Sequence, residues 1–124
     1  MPNPIRRRRL NELLKEELSR LVFFELKDPR VRSVTITGVE AAPDLTQAIV
    51  HVRSLGNDPP VEEAIEGLAS AAGYIRRTLG RELRLRRVPE LRFEADRTLE
   101  TARRIESLLD QARESDDPDE PAEE

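Results

Sequence analysis

Apolar residues recur every three or four positions through most of this chain, broken by two short stretches in which they alternate with polar ones. Leu10, Leu14, Leu18 and Leu21 stripe a first helix predicted from Pro4 to Leu26, with Asn3 as its N-cap, Pro4 at the first helical position and Asp28-Pro29-Arg30 as its stop. Val34 to Val39 and Gln47 to Arg53 are β-rich runs, apolar at every other position at Val34 and Ile36 and again at Ala48, Val50 and Val52. Pro43-Asp44 between them reads as a turn, which makes the two runs a hairpin. Asn57-Asp58-Pro59-Pro60 then opens a stripe of Ile65, Leu68, Ala72, Ile75, Leu79 and Leu83 that Ser70-Ala71-Ala72-Gly73 interrupts. One face stays apolar on both sides of the interruption, so the break redirects the backbone without losing the core: two helices meeting at a kink. Pro89 precedes a third strand holding Leu91 and Phe93, and Leu99, Ala102, Ile105, Leu108 and Leu109 stripe a last helix. The order is α-β-β-α-kink-α-β-α, an α+β fold.

The polar face of the kinked pair has its own pattern. At about 100° per residue, Gly73, Arg77, Gly80, Arg81 and Arg84 fall in one sector opposite Leu68, Ile75 and Leu79. Glycine admits a close backbone approach, and arginine offers a planar fork of donors matched to phosphate oxygens, so this face suits a polyanion. A packing glycine beside solvated arginines is the alternative reading of the same residues.

Charge sharpens the picture because it is segregated. The chain of 124 residues has a formal net charge of −4, yet residues 114–124 hold seven acids and no base; removing them leaves 18 acids against 21 bases, a net charge of +3. Residues 1–113 are therefore expected to form one mildly basic domain, and residues 114–124 an acidic disordered tail. Nineteen of the 21 bases are arginine, eight of them between Arg76 and Arg97, and Arg6 to Arg9 adds four in succession. In the first turn of a helix those four oppose the macrodipole, so local stability does not account for them.

The chain resembles the ribosome-binding factor A family. The resemblance covers almost all of residues 5–110 and rests on Asp28-Pro29-Arg30-Val31, Val34-Thr35-Ile36-Thr37-Gly38-Val39-Glu40, Pro43-Asp44-Leu45, Val50-His51-Val52, Ala71-Ala72-Gly73-Tyr74-Ile75-Arg76, Leu79-Gly80, Leu85-Arg86, Val88-Pro89-Glu90-Leu91 and the region of Ile105, in that order. It implies a type II KH-like domain: a three-stranded sheet with helices on one face, an added C-terminal helix, and an Ala-x-Gly kink in place of the usual Gly-x-x-Gly loop. The five glycines, at 38, 56, 67, 73 and 80, form no Gly-x-x-Gly, and Ala71-Ala72-Gly73 fits the replacement. The implied function is a non-catalytic assembly factor that binds 16S rRNA in the free 30S subunit and promotes its late maturation, including 5′-end processing of the 16S precursor, with a role in cold adaptation. The resemblance and the basic face together place RNA contact at Arg6, Arg7, Arg8, Arg9, Ala71, Gly73, Arg76, Arg77, Arg81, Arg84, Arg86 and Arg87.

Other classes find less support. A DNA-binding regulator with the kinked pair as helix-turn-helix, and a basic protein-interaction module, are the alternatives. No catalytic residue, metal site, cofactor or small-molecule substrate is expected: there is no cysteine and no phosphate-binding Gly-x-x-x-x-Gly-Lys loop, and the single histidine, His51, reads as a sheet-surface residue. Leu21 to Phe24 is too short an apolar run for a signal peptide or membrane span, so a cytoplasmic location is expected; the chain is expected to be a monomer. Of the aromatics, Phe93 and at least one of Phe23 and Phe24 are expected in the core, with Tyr74 at the edge of the arginine sector, which makes phosphate geometry rather than base stacking the main mode of binding.

Overall fold

The computed structural model describes residues 4–115, so Asn3 as a cap and most of the acidic tail lie outside the described residues. The elements are α1 (Pro4–Phe24), a 3-10 turn (Pro29–Val31), β1 (Val34–Ala41), β2 (Gln47–Ser54), a second 3-10 turn (Leu55–Asn57), α2 (Val61–Ser70), α3 (Ala72–Glu82), β3 (Glu90–Ala95) and α4 (Thr98–Ser115). This is the expected order, in an α+β architecture. The last helix runs to Ser115, so the helical backbone extends two residues into the segment read as tail.

The sheet has the order β1-β2-β3, with β1 and β2 antiparallel and β2 and β3 parallel. A parallel pair needs a long crossover, and α2 and α3 supply it. Ile36, Val39 and Ala41 from β1 and Ala48, Val50 and Val52 from β2 are buried against Leu14, Leu18 and Leu21 of α1 and Leu68, Ile75 and Leu79 of the kinked pair. The other face carries Glu40, Gln47, His51, Arg53 and Arg92, with His51 Nε2 3.2 Å from Glu40 Oε2, which is the sheet-surface histidine expected.

Two details depart from the periodic reading. Strict alternation through Val34 and Ile36 turns Gly38 inward and Val39 outward. A β-bulge between Ile36 and Gly38 resets the frame instead, and Val39 and Ala41 face the core. The first helix also stops two residues early, at Phe24, with the Glu25 and Leu26 amides both donating to Leu21 O. Its core face ends at Leu21 and Val22. Phe23 and Phe24 therefore fall outside the core, 80% and 70% exposed, with their rings in edge contact at 4.8 Å between centroids; the expectation that one of them is buried is overturned. Phe93 does pack against the core.

The bulge anchors the last helix. Thr37 Oγ1 donates to Asp96 Oδ2 at 2.6 Å, and Asp96 Oδ1 accepts the first amide of α4, from Thr98, at 2.9 Å. The Thr37 hydroxyl, then Thr98 and the charge of Arg53, hold the Asp96 carboxyl far below its ordinary range. A carboxyl whose pKa is lowered by folding contributes stability that is complete above its unfolded pKa, about 3.9, and is lost as the pH falls from there through the folded value. Asp96→Ala is expected to cost about 1 kcal/mol at pH 7, the usual value of a helix-start acceptor. In urea denaturation that deficit should persist down to about pH 4 and shrink only in stronger acid. Beyond this anchor α4 keeps its apolar stripe open, with Ile105, Leu108 and Leu109 exposed.

Candidate nucleic-acid interface

The four arginines that open α1 project in three directions. Arg6 and Arg9 share a flank with Leu10 and Leu13 and wall a groove of about 480 Å³. Arg7 is half-buried near the end of the hairpin, lining a separate hollow with Glu40 and Gln47, and Arg8 is exposed. The far wall of the groove is the segment after α3, where Arg84, Arg86 and Arg87 line it, so two basic clusters more than seventy residues apart in sequence face one space. Arg86 and Arg87 also line a second, shallower hollow of about 440 Å³ with Gly73, Arg76 and Arg77. The two hollows form one basic strip, from the start of α1 across the 84–88 segment to the first turn of α3.

The end of α3 sets this arrangement. Leu83 caps the helix, and the next residue, Arg84, takes the left-handed conformation at φ 53°, while Leu85 N donates to Gly80 O at 3.0 Å; this is the hydrogen bond of a Schellman motif, in which the left-handed position is usually glycine. Arg84 therefore belongs to the loop and not to the helical face on which the sequence placed it. Gly80 is not open to a ligand either: a Cβ there would lie 3.2 Å from Val88 Cγ2, so Gly80 seats the loop that carries Arg86 and Arg87. A β-carbon in the left-handed region costs roughly 1 kcal/mol or more. Arg84→Gly is accordingly expected to raise stability by about 1 kcal/mol in thermal denaturation while weakening binding of a polyanionic ligand; binding as tight as that of the natural chain would remove Arg84 from the strip.

The bend itself is at Ala71, with φ −94° and ψ 6°, whose amide donates to both Gly67 O and Leu68 O. Ala71 is half-buried against the core, and it shapes the strip through the backbone. Gly73 lies in the first turn of α3, exposed, and a Cβ there would meet only the Arg77 Nη1 at 3.5 Å. The backbone of that turn is open to a ligand.

Arg81 stands on the other flank, toward α1. There Arg20 pairs with Glu17 and, at 2.8 Å, with Glu25, and the Tyr74 hydroxyl donates to Glu25. Tyr74 and then Arg20, with a smaller contribution from the Arg81 charge, hold the Glu25 carboxyl below the ordinary range. Tyr74 is thus a tie between α3 and the end of α1 rather than an edge of the basic strip, and Arg81 has acidic neighbours in Glu25 and Glu82.

Sequence reasoning found the arginines but not the groove floor. Leu10, Leu13, Leu45 and Leu85 line it with Asp44 and Thr46 of the hairpin turn. The available signal was Pro43-Asp44-Leu45-Thr46, a turn whose leucine sits at φ 62°. Among the described residues there is no cluster of three or more His, Cys, Asp or Glu able to hold a metal, and no helix is long and apolar enough to cross a membrane.

The chain matches the family model described as ribosome-binding factor A over residues 6–109. It is 45% identical over 107 residues to ribosome-binding factor A of Thioalkalivibrio sulfidiphilus, covering 86% of this chain and 83% of the relative. The crystal structure of ribosome-binding factor A from Thermus thermophilus superposes with a TM-score of 0.66 at 28% identity, over 72% of this chain and 93% of that one. A homology model of the Thermus thermophilus factor, fitted into the cryo-electron microscopy map of a complex with the 30S subunit, is similar at a TM-score of 0.53 and 28% identity, over 68% of this chain and 93% of that one.

Proposed function

Since the chain belongs to the ribosome-binding factor A family, we propose that it is a non-catalytic assembly factor that binds 16S rRNA in the free 30S subunit, as a cytoplasmic monomer, and promotes late maturation of that subunit, including processing of the 16S 5′ end. The observation that carries this reading is the convergence of Arg6 and Arg9 with Arg84, Arg86 and Arg87 on one groove, extended by Arg76, Arg77 and Gly73. A strip of guanidiniums on a KH-like domain suits the phosphates of folded RNA, whose shape rather than base sequence is read first. The open sheet face, with Glu40, His51, Arg53 and Arg92, carries mixed charge and no Phe, Tyr or Trp, and its one ring, His51, sits 3.2 Å from Glu40, so it lacks the pair of stacked aromatics that a sheet-based RNA binder uses.

A helix-turn-helix reading fits poorly. A recognition helix must stand clear to enter a major groove after a turn of three or four residues. Here a single residue, Ala71, separates α2 from α3, and the 84–88 loop lies across the basic flank through Gly80 and Val88.

The test is sedimentation of the purified chain with 30S subunits and with 70S ribosomes in about 0.1 M salt. Co-migration with free 30S and exclusion from 70S is expected. A chain that stays at the top of the gradient with both, or rides equally on both, overturns the reading.

A further inference from the structure

The groove holds more than phosphate chemistry requires. A surface built only for phosphate contact needs cations; this one has an apolar floor of Leu10, Leu13, Leu45 and Leu85 and a single carboxylate, Asp44, set among five guanidiniums. That carboxylate works against a phosphate by like-charge repulsion, and among the described residues it forms no ion pair with the arginines that share its groove. Its Oδ1 accepts from Thr46 N at 3.1 Å and from Thr46 Oγ1 at 2.8 Å, which fixes the side chain and commits Oδ1, not Oδ2, to Thr46. The Thr46 hydroxyl and amide keep the carboxyl below its ordinary range, so it is an acceptor at neutral pH. The volume, about 480 Å³, lies within the roughly 300–1,000 Å³ of small-ligand sites.

Resting on the RNA reading above, we propose that this groove is a pocket for one unpaired nucleotide whose base carries an exocyclic amine. The leucines take the face of the base, the guanidiniums take the flanking phosphates, and Asp44 Oδ2 accepts from the amine. Carboxylates accept from cytosine N4 in this way, and unstacked RNA bases are commonly read by stacking together with their Watson–Crick edges. Adenine, cytosine and guanine each offer an NH₂ group at that edge, guanine with an N1–H beside it. Uracil offers one N–H between two carbonyls, and both repel a carboxylate.

The experiment compares a fluorescent U-rich RNA octamer with the same octamer carrying one central cytosine, by anisotropy at fixed salt. The intact chain is expected to bind the cytosine-containing octamer about 5-fold more tightly, the low end for one base contact. Asp44→Asn keeps an oxygen for both Thr46 bonds and should leave the melting temperature unchanged; it should erase the preference while binding the all-U octamer slightly more tightly, because a negative charge has left the groove. Equal affinity of the intact chain for both octamers, or a preference that survives Asp44→Asn, overturns the pocket. Its failure is separable from that of the RNA reading: if replacing Arg84, Arg86 and Arg87 weakens both octamers alike and no base preference exists, the pocket alone fails. If that replacement weakens neither, the RNA reading fails with it.

Discussion

Replacing Arg84, Arg86 and Arg87 together with alanine is expected to weaken binding to free 30S subunits about 10- to 100-fold near 0.1 M salt and to flatten its salt dependence. Each phosphate neutralised by a side chain contributes roughly 0.7 to 0.9 to the slope of log affinity against log salt, so losing three contacts should reduce that slope by roughly 2 to 2.7. These residues carry the prediction because they line the main groove and two of them also line the hollow beside Gly73, so their removal interrupts the strip at its centre. Stability should change by no more than about 0.5 kcal/mol, since all three are exposed and alanine keeps the β-carbon that already sits at the left-handed Arg84 position. Arg81→Ala is the internal control. With Glu25 and Glu82 beside it and no part in either hollow, it should move the slope by much less than one third of the triple effect. Filter binding or gradient sedimentation between about 50 and 200 mM salt reads both quantities, and an unchanged slope in the triple variant would remove the strip from the interaction.

The parts of this fold legible in the sequence are those fixed by local periodicity. Leu14, Leu18 and Leu21 follow a 3.6-residue period and are buried as that period requires; Leu68, Ile75 and Leu79 do the same across the kink, because a bend at Ala71 that keeps one face inward leaves the spacing of the stripe intact. The bulge in β1 was not legible in this way. One extra residue changes which alternation is the inward one; Gly38 inside the run is a mark of such a bulge, but reading Val34 and Ile36 as one unbroken alternation passes over it. Phe23 and Phe24 misled for a related reason: hydrophobicity says that a side chain favours burial, but the core beneath α1 ends at Leu21 and Val22, and that boundary is set by the elements packed below.

The candidate site divides along the same line. Runs of arginine are visible in one dimension, whereas the grouping of Arg6 with Arg86, and the separation of Arg6 from Arg7, follow from the direction of each side chain around α1 and from the way β3 brings the 84–89 segment back beside it. Arg84 could be assigned to a helical face only by extending the period past Glu82. A Leu83 cap and a left-handed Arg84 end the period there, and no glycine announces the stop.

Two glycines of the kinked pair are expected to respond to alanine with opposite signs. At Gly67 a Cβ would lie 2.9 Å from Val31 Cγ1, closer than real β-carbons approach a neighbour, and 3.1 Å from Arg30 Cβ, tighter than nearly all such contacts. Neither neighbour can yield easily: Val31 is buried, and Arg30 is held by Asp28 through Nε at 3.1 Å and Nη2 at 2.7 Å, with Ser70 Oγ 3.3 Å from the same Nη2. Alanine gains up to about 1 kcal/mol of helix propensity there, but overpacking a confined site typically costs about 1 to 3 kcal/mol. Because the displaced groups belong to an anchored turn, Gly67→Ala should show a net loss of about 1 to 2 kcal/mol, a fall of roughly 5 to 10 °C in Tm for a domain of this size. At Gly73 the neighbour is the mobile end of Arg77, the backbone is helical, and the position is exposed, so Gly73→Ala should hold or raise stability by about 0.4 to 1 kcal/mol. Its effect falls on binding instead, since the added methyl stands where the strip opens onto the backbone of α3, and affinity for the 30S subunit and support of its maturation in cells should drop. Thermal denaturation of the two variants side by side, followed by sedimentation of each with 30S subunits, separates packing from recognition within a single pair of helices. A silent Gly67→Ala would show that the Asp28–Val31 turn does not confine α2, and a stable Gly73→Ala that binds like the natural chain would show that no ligand approaches the first turn of α3.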